Sequence, residues 1–155
     1  MKALVIAGIA LLASCQAPLP VPTPPRELPP RPLPRPPAPR PEPGTLTSIE
    51  LGTLFPRQQA GTVLLYDARP AFVARLGRIP GAISWPRHQF GAGLPRHEGE
   101  IRAAAKAGHP VVFYCTDAAC PDAHAMAEQL AARGHPVSIL HGGFAAWKEA
   151  GLPTE

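Results

Sequence analysis

Two of the three cysteines in this 155-residue chain stand in one short segment, Cys115-Thr116-Asp117-Ala118-Ala119-Cys120. The segment follows the apolar run Pro110-Val111-Val112-Phe113-Tyr114 and leads directly into Pro121 and an Ala-rich stretch. An apolar run of that length bounded by turn residues predicts a buried strand. Pro at a first turn predicts a helix starting at 121. Cys115 then lies at the carboxyl end of a strand, where open α/β sheets build their sites. The helix behind the loop aims unsatisfied N–H groups and partial positive charge at it. Such surroundings favour thiolate, the reactive form of the side chain. The competing reading is a buried structural cysteine, a common fate of free thiols. Strand, Cys, small-residue loop and helix in that order favour a nucleophile.

The elements that must position this loop are legible as an alternation. Thr47-Ser48 precede Ile49, Leu51 and Leu54 at helical spacing, which makes Ser48 a candidate cap with Glu50 in the first turn. Thr62-Val63-Leu64-Leu65-Tyr66, ending at Asp67, is a buried-strand signal. Pro70 opens a short helix through Leu76, with Phe72, Val73 and Leu76 as its apolar side and Gly77 as its stop. Ala82-Ile83-Ser84 is a short strand, and 98–107 a helix with Ile101, Ala104 and Ala105 inward, ended by Gly108. A helix over 121–133 is lined by Ala123, Met126, Ala127 and Leu130 and ended by Gly134. Val137-Ser138-Ile139-Leu140 is the last clear strand; Gly142-Gly143 then turn the chain into a helix over 144–150 stopped by Gly151. Apolar strands alternating with helices imply a parallel sheet covered on both faces.

Composition places this domain at residues 45–155. Of the 23 prolines, 14 fall in the 26 positions 18–43, so those positions belong to no packed core. The remainder is long enough for one hydrophobic core, which excludes a disordered chain, a disulfide-dense miniature scaffold and a multi-pass membrane protein. The net charge of +4 is unevenly spread: residues 45–155 hold ten basic and nine acidic side chains. A nearly neutral domain without a basic stripe excludes nucleic acid as an expected partner.

The beginning of the chain reads as an address. Met1-Lys2 is a positive start, and 3–13 is an uncharged apolar run too short to span a bilayer. Leu12-Ala13-Ser14-Cys15 resembles the bacterial lipobox, which implies diacylation of Cys15 and removal of a signal peptide at 1–14. With the new N-terminus also acylated, three chains exceed the two signals that stable anchoring needs. The alternative is an ordinary signal peptide cut near Ala13 or Ala17, with Cys15 incidental. Gln16 after the cysteine is similar to the outer-membrane sorting class, so the expected location is the periplasmic face of the outer membrane. Residues 15–44 form the lipidated Cys and a Pro/Arg-rich linker. In polyproline II, at ~3.1 Å per residue, the 26 residues 18–43 reach up to ~80 Å. The linker's rival reading is a ligand for a proline-binding module.

Four motifs in order resemble the rhodanese-like (sulfurtransferase) family. They are Asp67-Ala68-Arg69 after the first buried strand; Gly77-Arg78-Ile79-Pro80-Gly81-Ala82; Cys115 with its loop; and His141-Gly142-Gly143-Phe144-Ala145-Ala146-Trp147 followed by Gly151-Leu152-Pro153. The resemblance covers 45–155 and implies a three-layer α/β fold with a five-stranded parallel sheet flanked by helices. It also implies that Cys115 carries sulfane sulfur as a persulfide, taken from thiosulfate, a polysulfide or a persulfide. The acceptor would be thiophilic, such as cyanide or a thiol. Backbone N–H groups of Thr116, Asp117, Ala118, Ala119 and Cys120 would cradle the anion. Asp67 and Arg69 could reach the site, but the resemblance implies that they pair and pin the loop after the first strand. No cofactor or metal is expected, and the domain is expected to be a monomer.

Several departures shape this reading. The loop carries Asp117 and no Arg or Lys, so it opposes a dianionic donor such as thiosulfate. The family's usual His is Arg78, read as fold support. Cys120 leaves three roles open: a plain helix-start residue, a resolving thiol that attacks a Cys115 persulfide, or a partner already bonded to Cys115. The other reading of the whole domain follows, a non-catalytic binding or redox-sensing module with a Cys115–Cys120 disulfide. A thiol–disulfide exchanger is disfavoured because the pair is not C-x-x-C. Cys115, Cys120 and His124 lack the fourth ligand and spacing of a zinc site. A Cys-based phosphatase would place Arg six residues after its Cys, where Pro121 and Met126 stand here. Trp147 is read as core. His88, His97, His109, His135 and His141 are read as loop residues, the last bordering the cleft.

Overall fold

The computed structural model describes residues 42–155. The signal peptide, Cys15 and nearly all of the Pro/Arg-rich linker lie outside the described residues. None of the described helices is long and apolar enough to cross a membrane.

Five strands form one all-parallel sheet: β1 (Leu46–Ile49), β2 (Leu64–Asp67), β3 (Ile83–Ser84), β4 (Val111–Tyr114) and β5 (Val137–Leu140), in the order β1-β5-β4-β2-β3. Five helices cover it: α1 (Leu51–Gln59), α2 (Ala71–Ala74), α3 (Phe90–Lys106), α4 (Pro121–Ala131) and α5 (Gly143–Glu149). The strand period of two sorts the core onto two faces. Tyr66 and Phe113 point into a cluster with Trp85, Ile101, Met126 and Leu130 from the α3 and α4 side. Leu65, Val112 and Tyr114 point the other way, onto Leu54, Phe144 and Trp147 from α1 and α5. The three-layer α/β architecture is therefore present, with β4 buried on both faces at its centre.

Five local expectations are corrected. Thr47 and Ser48 do not start a helix; they belong to the edge strand β1, whose Leu46–Ile49 pairs in register with Val137–Leu140. The open side of β5 supplies a ladder of donors and acceptors, and pairing with it outweighs local spacing. Glu50, not Ser48, takes the cap position, without a side-chain hydrogen bond. The helix after Pro70 is one turn, Ala71–Ala74, and its buried residue is Ala74; Phe72 and Leu76 are 70% and 88% exposed.

Helix α3 starts at Phe90, eight residues before the expected position, and carries Pro95 inside it. Gly91, Gly93 and Pro95 hide this helix from a propensity reading. Its first turns are held by tertiary contact: Phe90 stacks on Trp85 with centroids 5.0 Å apart. Gly93 is required there, since a Cβ would lie 2.6 Å from Trp85 Nε1. His97 is consequently a buried helix residue rather than a loop one. Its Nδ1 lies 2.8 Å from Glu100 Oε2, and Tyr66 donates to the same oxygen at 2.9 Å.

Candidate functional site

Strand β4 delivers Cys115 to the carboxyl edge of the sheet, and a short loop returns the chain into α4. Helix α5 grips the loop backbone from behind. The Phe144 and Ala145 N–H groups donate to the Cys115 and Thr116 carbonyls, both at 2.9 Å. These are donors that a helix N-terminus leaves without intrahelical partners. Such close approach explains the Gly142-Gly143 pair. Gly143 has φ +59°, and a Cβ there would lie 2.6 Å from the Cys115 carbonyl oxygen and 2.9 Å from the Asp117 nitrogen. No other residue type fits without moving the loop.

Cys115 and Cys120 are joined as a disulfide with their Cα atoms 5.9 Å apart, inside the range a bridge needs. The bond rules out a plain helix-start residue and is the state that either a resolving thiol or a standing partner leaves at Cys120. Cys115 is 3% exposed, Cys120 is half-buried, and Thr116 to Ala119 are exposed. Asp117 folds back onto its own loop: Oδ1 accepts from the Ala119 N–H at 2.9 Å and the Cys120 N–H at 3.1 Å. Two of the five N–H groups expected to cradle an anion are thus engaged by a resident carboxylate.

A cleft of about 370 Å³ opens beside the two cysteines. Asp117, His124, His141 and Gly142 line it, together with Thr47 and Ser48 of the edge strand. Among the described residues, no lysine or arginine lines this cleft. His141 does border it, as expected, and His124 joins it as a wall residue. Thr47 and Ser48 reach the cleft because they lie on β1 rather than ahead of a helix. The Cys115, Cys120 and Asp122 ligand atoms lie within 4.8 Å of one another. With the sulfurs bonded to each other, that group offers a metal only one carboxylate.

Asp67 and Arg69 do not line the cleft. They form a buried ion pair, Arg69 Nη2 to Asp67 Oδ2 at 2.6 Å, with a second contact from Arg69 Nε to Oδ1 at 2.9 Å. Arg69 Nη2 also donates to the Gly77 carbonyl at 2.9 Å, and its guanidinium lies 4.0 Å above the Phe144 ring centroid. Tyr114 OH donates to Asp67 Oδ2 at 2.9 Å and accepts the Ile79 N–H at 3.2 Å. Burial and the Asp67 charge push the Tyr114 phenol well above its ordinary range. Burial alone would pull the Arg69 guanidinium down, but its hydrogen bonds and the Asp67 charge hold it above its usual value. The sequence pattern places Tyr114 in a strand and says nothing of its hydroxyl. The signal lay in its type, since a buried Tyr seeks a partner for its hydroxyl.

Two further cations are committed elsewhere. Arg78 Nε binds Glu155 Oε1 at 2.7 Å and exchanges backbone hydrogen bonds with the same residue. That contact holds the Glu155 carboxyl below the usual range. Arg87 Nη1 meets Asp122 in the first turn of α4 at 3.2 Å. Trp147 is fully buried and donates Nε1 to the Pro153 carbonyl at 2.8 Å, which ties α5 to the segment after it.

Comparison with known proteins decides the family. The rhodanese-like domain matches residues 54–150. The chain belongs to the rhodanese-like domain family. A rhodanese-related protein from Thermoplasma volcanium superposes with a TM-score of 0.55 at 22% identity, covering 70% of this chain and 97% of that one. A Rhodopseudomonas palustris protein of unknown function, described as a possible tyrosine phosphatase, superposes with a TM-score of 0.57 at 24% identity, covering 71% and 85%. Both likenesses speak to the rhodanese-like fold alone. A Mycobacterium tuberculosis HTH-type transcriptional regulator is 33% identical over 111 residues. The match takes in 70% of this chain and 44% of the regulator, so the chain spans less than half of that relative's length.

Proposed function

We propose that this rhodanese-like domain is a sulfurtransferase whose reduced form carries sulfane sulfur on Cys115. The observation that supports it is the placement of Cys115 at the end of β4, beside a cleft, in a loop whose backbone is held by the first N–H groups of α5. With the disulfide opened, the Cys115 thiolate attacks the outer sulfur of a donor R–S–S⁻. The S–S bond breaks, R–S⁻ leaves, and Cys115–S–S⁻ remains. An acceptor such as cyanide takes the outer sulfur as thiocyanate and returns the thiolate. No general base is needed, because the nucleophile is already an anion. A donor carrying one charge suits a cleft lined by Asp117 and no Lys or Arg better than the thiosulfate dianion.

The Leu12-Ala13-Ser14-Cys15 motif supports a lipid anchor at Cys15, with the Pro/Arg-rich segment as a stalk in the bacterial envelope. The test of transfer is thiocyanate release from cyanide by pre-reduced full-length chain supplied with polysulfide. The wild type is expected to turn over and Cys115→Ser to give only background; equal rates would refute the reading.

The disulfide favours a second reading, in which oxidation itself is the output and the module senses rather than transfers. The relative with 33% identity is named a transcriptional regulator, not a transferase. Free-thiol counting against catalysis separates the two: a sensor opens and closes its disulfide without moving sulfur.

A further inference from the structure

The closed loop lacks a thiolate, and so cannot begin the reaction just described. It holds instead an electrophile and a two-electron oxidant, the Cys115–Cys120 bond, at the wall of the same cleft. We infer that this oxidised form is itself charged by hydrosulfide, which attacks Cys115 Sγ and expels the Cys120 thiolate. The inference rests on the sulfur-transfer reading, which it extends to a second substrate.

The step balances as HS⁻ plus Cys115–S–S–Cys120 giving Cys115–S–SH plus Cys120–S⁻. One S–S bond breaks and one forms. Sulfide is oxidised to the sulfane level and the disulfide is reduced. The product is the same Cys115 persulfide that a sulfane donor would make. Reclosing the loop after the sulfur is passed on takes a disulfide as oxidant, through thiol–disulfide exchange.

Three features choose the site of attack and the nucleophile. The first is the leaving group. Cys120 occupies the cap position of the eleven-residue α4, in extended conformation and without a side-chain cap hydrogen bond. Pro121 has no N–H, so a Cys120 thiolate is the natural acceptor for the N–H groups of the next residues and for the helix dipole. Asp122 lies within 4.8 Å of both sulfurs and opposes both thiolates, so the helix terminus makes Cys120 the better leaving group and directs the attack to Cys115. The second is access. Cys115 is only 3% exposed yet lines the cleft, which restricts the nucleophile to a small one. The third is charge. Asp117 supplies a carboxylate and already engages the Ala119 and Cys120 N–H groups. A small monoanion in equilibrium with its neutral acid meets less opposition there than a dianion.

The test uses full-length chain carrying Cys15→Ser, so that only the two loop cysteines react. Oxidised protein is mixed with equimolar sodium sulfide without oxygen, quenched with a fast alkylating agent and mapped by non-reducing peptide mass spectrometry. Reduced protein given polysulfide runs in parallel. The expected result is an alkylated persulfide on Cys115, ~32 Da above the alkylated thiol, at least about tenfold above any on Cys120, with Cys120 recovered as a plain thiol. Glutathione in place of sulfide is expected to open the disulfide at least about tenfold more slowly. Sulfur on Cys120, two plain thiols, an unopened disulfide or equally fast opening by glutathione overturns the inference, and leaves the transfer reading standing if the parallel reduced sample loads Cys115. If neither sample retains sulfur on Cys115, both fall.

Discussion

Two loops leave the same edge of the sheet and are built in opposite ways. The loop after β2 is tied down by side chains: Asp67 and Arg69 are buried, doubly hydrogen-bonded to each other and further joined to Tyr114 and the Gly77 carbonyl. The loop after β4 has four exposed residues with small or polar side chains, and is held by its backbone, by Asp117 and by a disulfide. The first spends its charges on itself and has none to offer a ligand. The second keeps its sulfurs and backbone at the cleft. The two sulfurs sit on the loop whose restraints are chemically reversible, beside a loop restrained by a buried ion pair.

The largest expected way to break this contrast is Arg69→Met. It leaves the Asp67 carboxylate buried with its main partner gone, a change that costs about 3–5 kcal/mol. Urea denaturation is expected to show a correspondingly lower midpoint with an unchanged slope. A loss under ~1 kcal/mol would show that the first loop is not held by this pair.

Gly143→Ala attacks the other loop. It forces a Cβ into the Cys115 carbonyl at a left-handed backbone position, where strain costs about 1–3 kcal/mol. Sulfur transfer is expected to fall more than stability does, because the displaced atoms belong to the Cys115 loop. A stable variant with full activity would show that the grip of α5 is dispensable.

Reduction of the wild-type disulfide sharpens the comparison next. Closing so short a ring stabilises the fold by about 2 kcal/mol on loop entropy. Thermal melts with and without reductant are expected to differ by that amount. The Arg69→Met variant should lose the same increment if the two loops act independently.

The smallest effect lies outside both loops. Burial pushes the Glu100 carboxyl up, but hydrogen bonds from His97, Tyr66 and Arg96 outweigh it and hold the group below the usual glutamate range. A carboxyl depressed in the folded state adds stability that is present above its unfolded pKa and is lost as pH falls through the folded value. Between about pH 5 and pH 3, the wild type is expected to lose less than about 1 kcal/mol more than Glu100→Gln. Parallel pH curves in urea titrations would contradict this.

The contrast between the loops also marks what could be read from residues alone. The Cys115 loop was legible because its parts are consecutive: an apolar strand, a cysteine, small residues and a Pro-led helix. The Asp67–Arg69 pair was legible only through the resemblance to the rhodanese-like family, since spacing alone left both side chains free to reach the site. Strand β1 was not, because Thr47 and Ser48 suit a cap as well as an edge strand, and the deciding partner, β5, lies some ninety positions away. The first turns of α3 were masked by Gly91, Gly93 and Pro95, whose helix is held by Trp85 stacking on Phe90. At the site, the cleft walls from β1 and the turning back of Asp117 onto the Ala119 and Cys120 N–H groups are long-range or conformational facts. Spacing does not encode the first; the second is an Asx turn, whose local signal is an Asp two residues before the bonded N–H.

The central claim is that Cys115 carries sulfur, and intact mass tests it most directly. Full-length chain with Cys15→Ser is reduced, exposed to polysulfide and weighed beside the same chain with Cys115→Ser. The account predicts a gain of ~32 Da in the first and none in the second, removed from the first by cyanide. No gain in either, or a gain that survives Cys115→Ser, would contradict it.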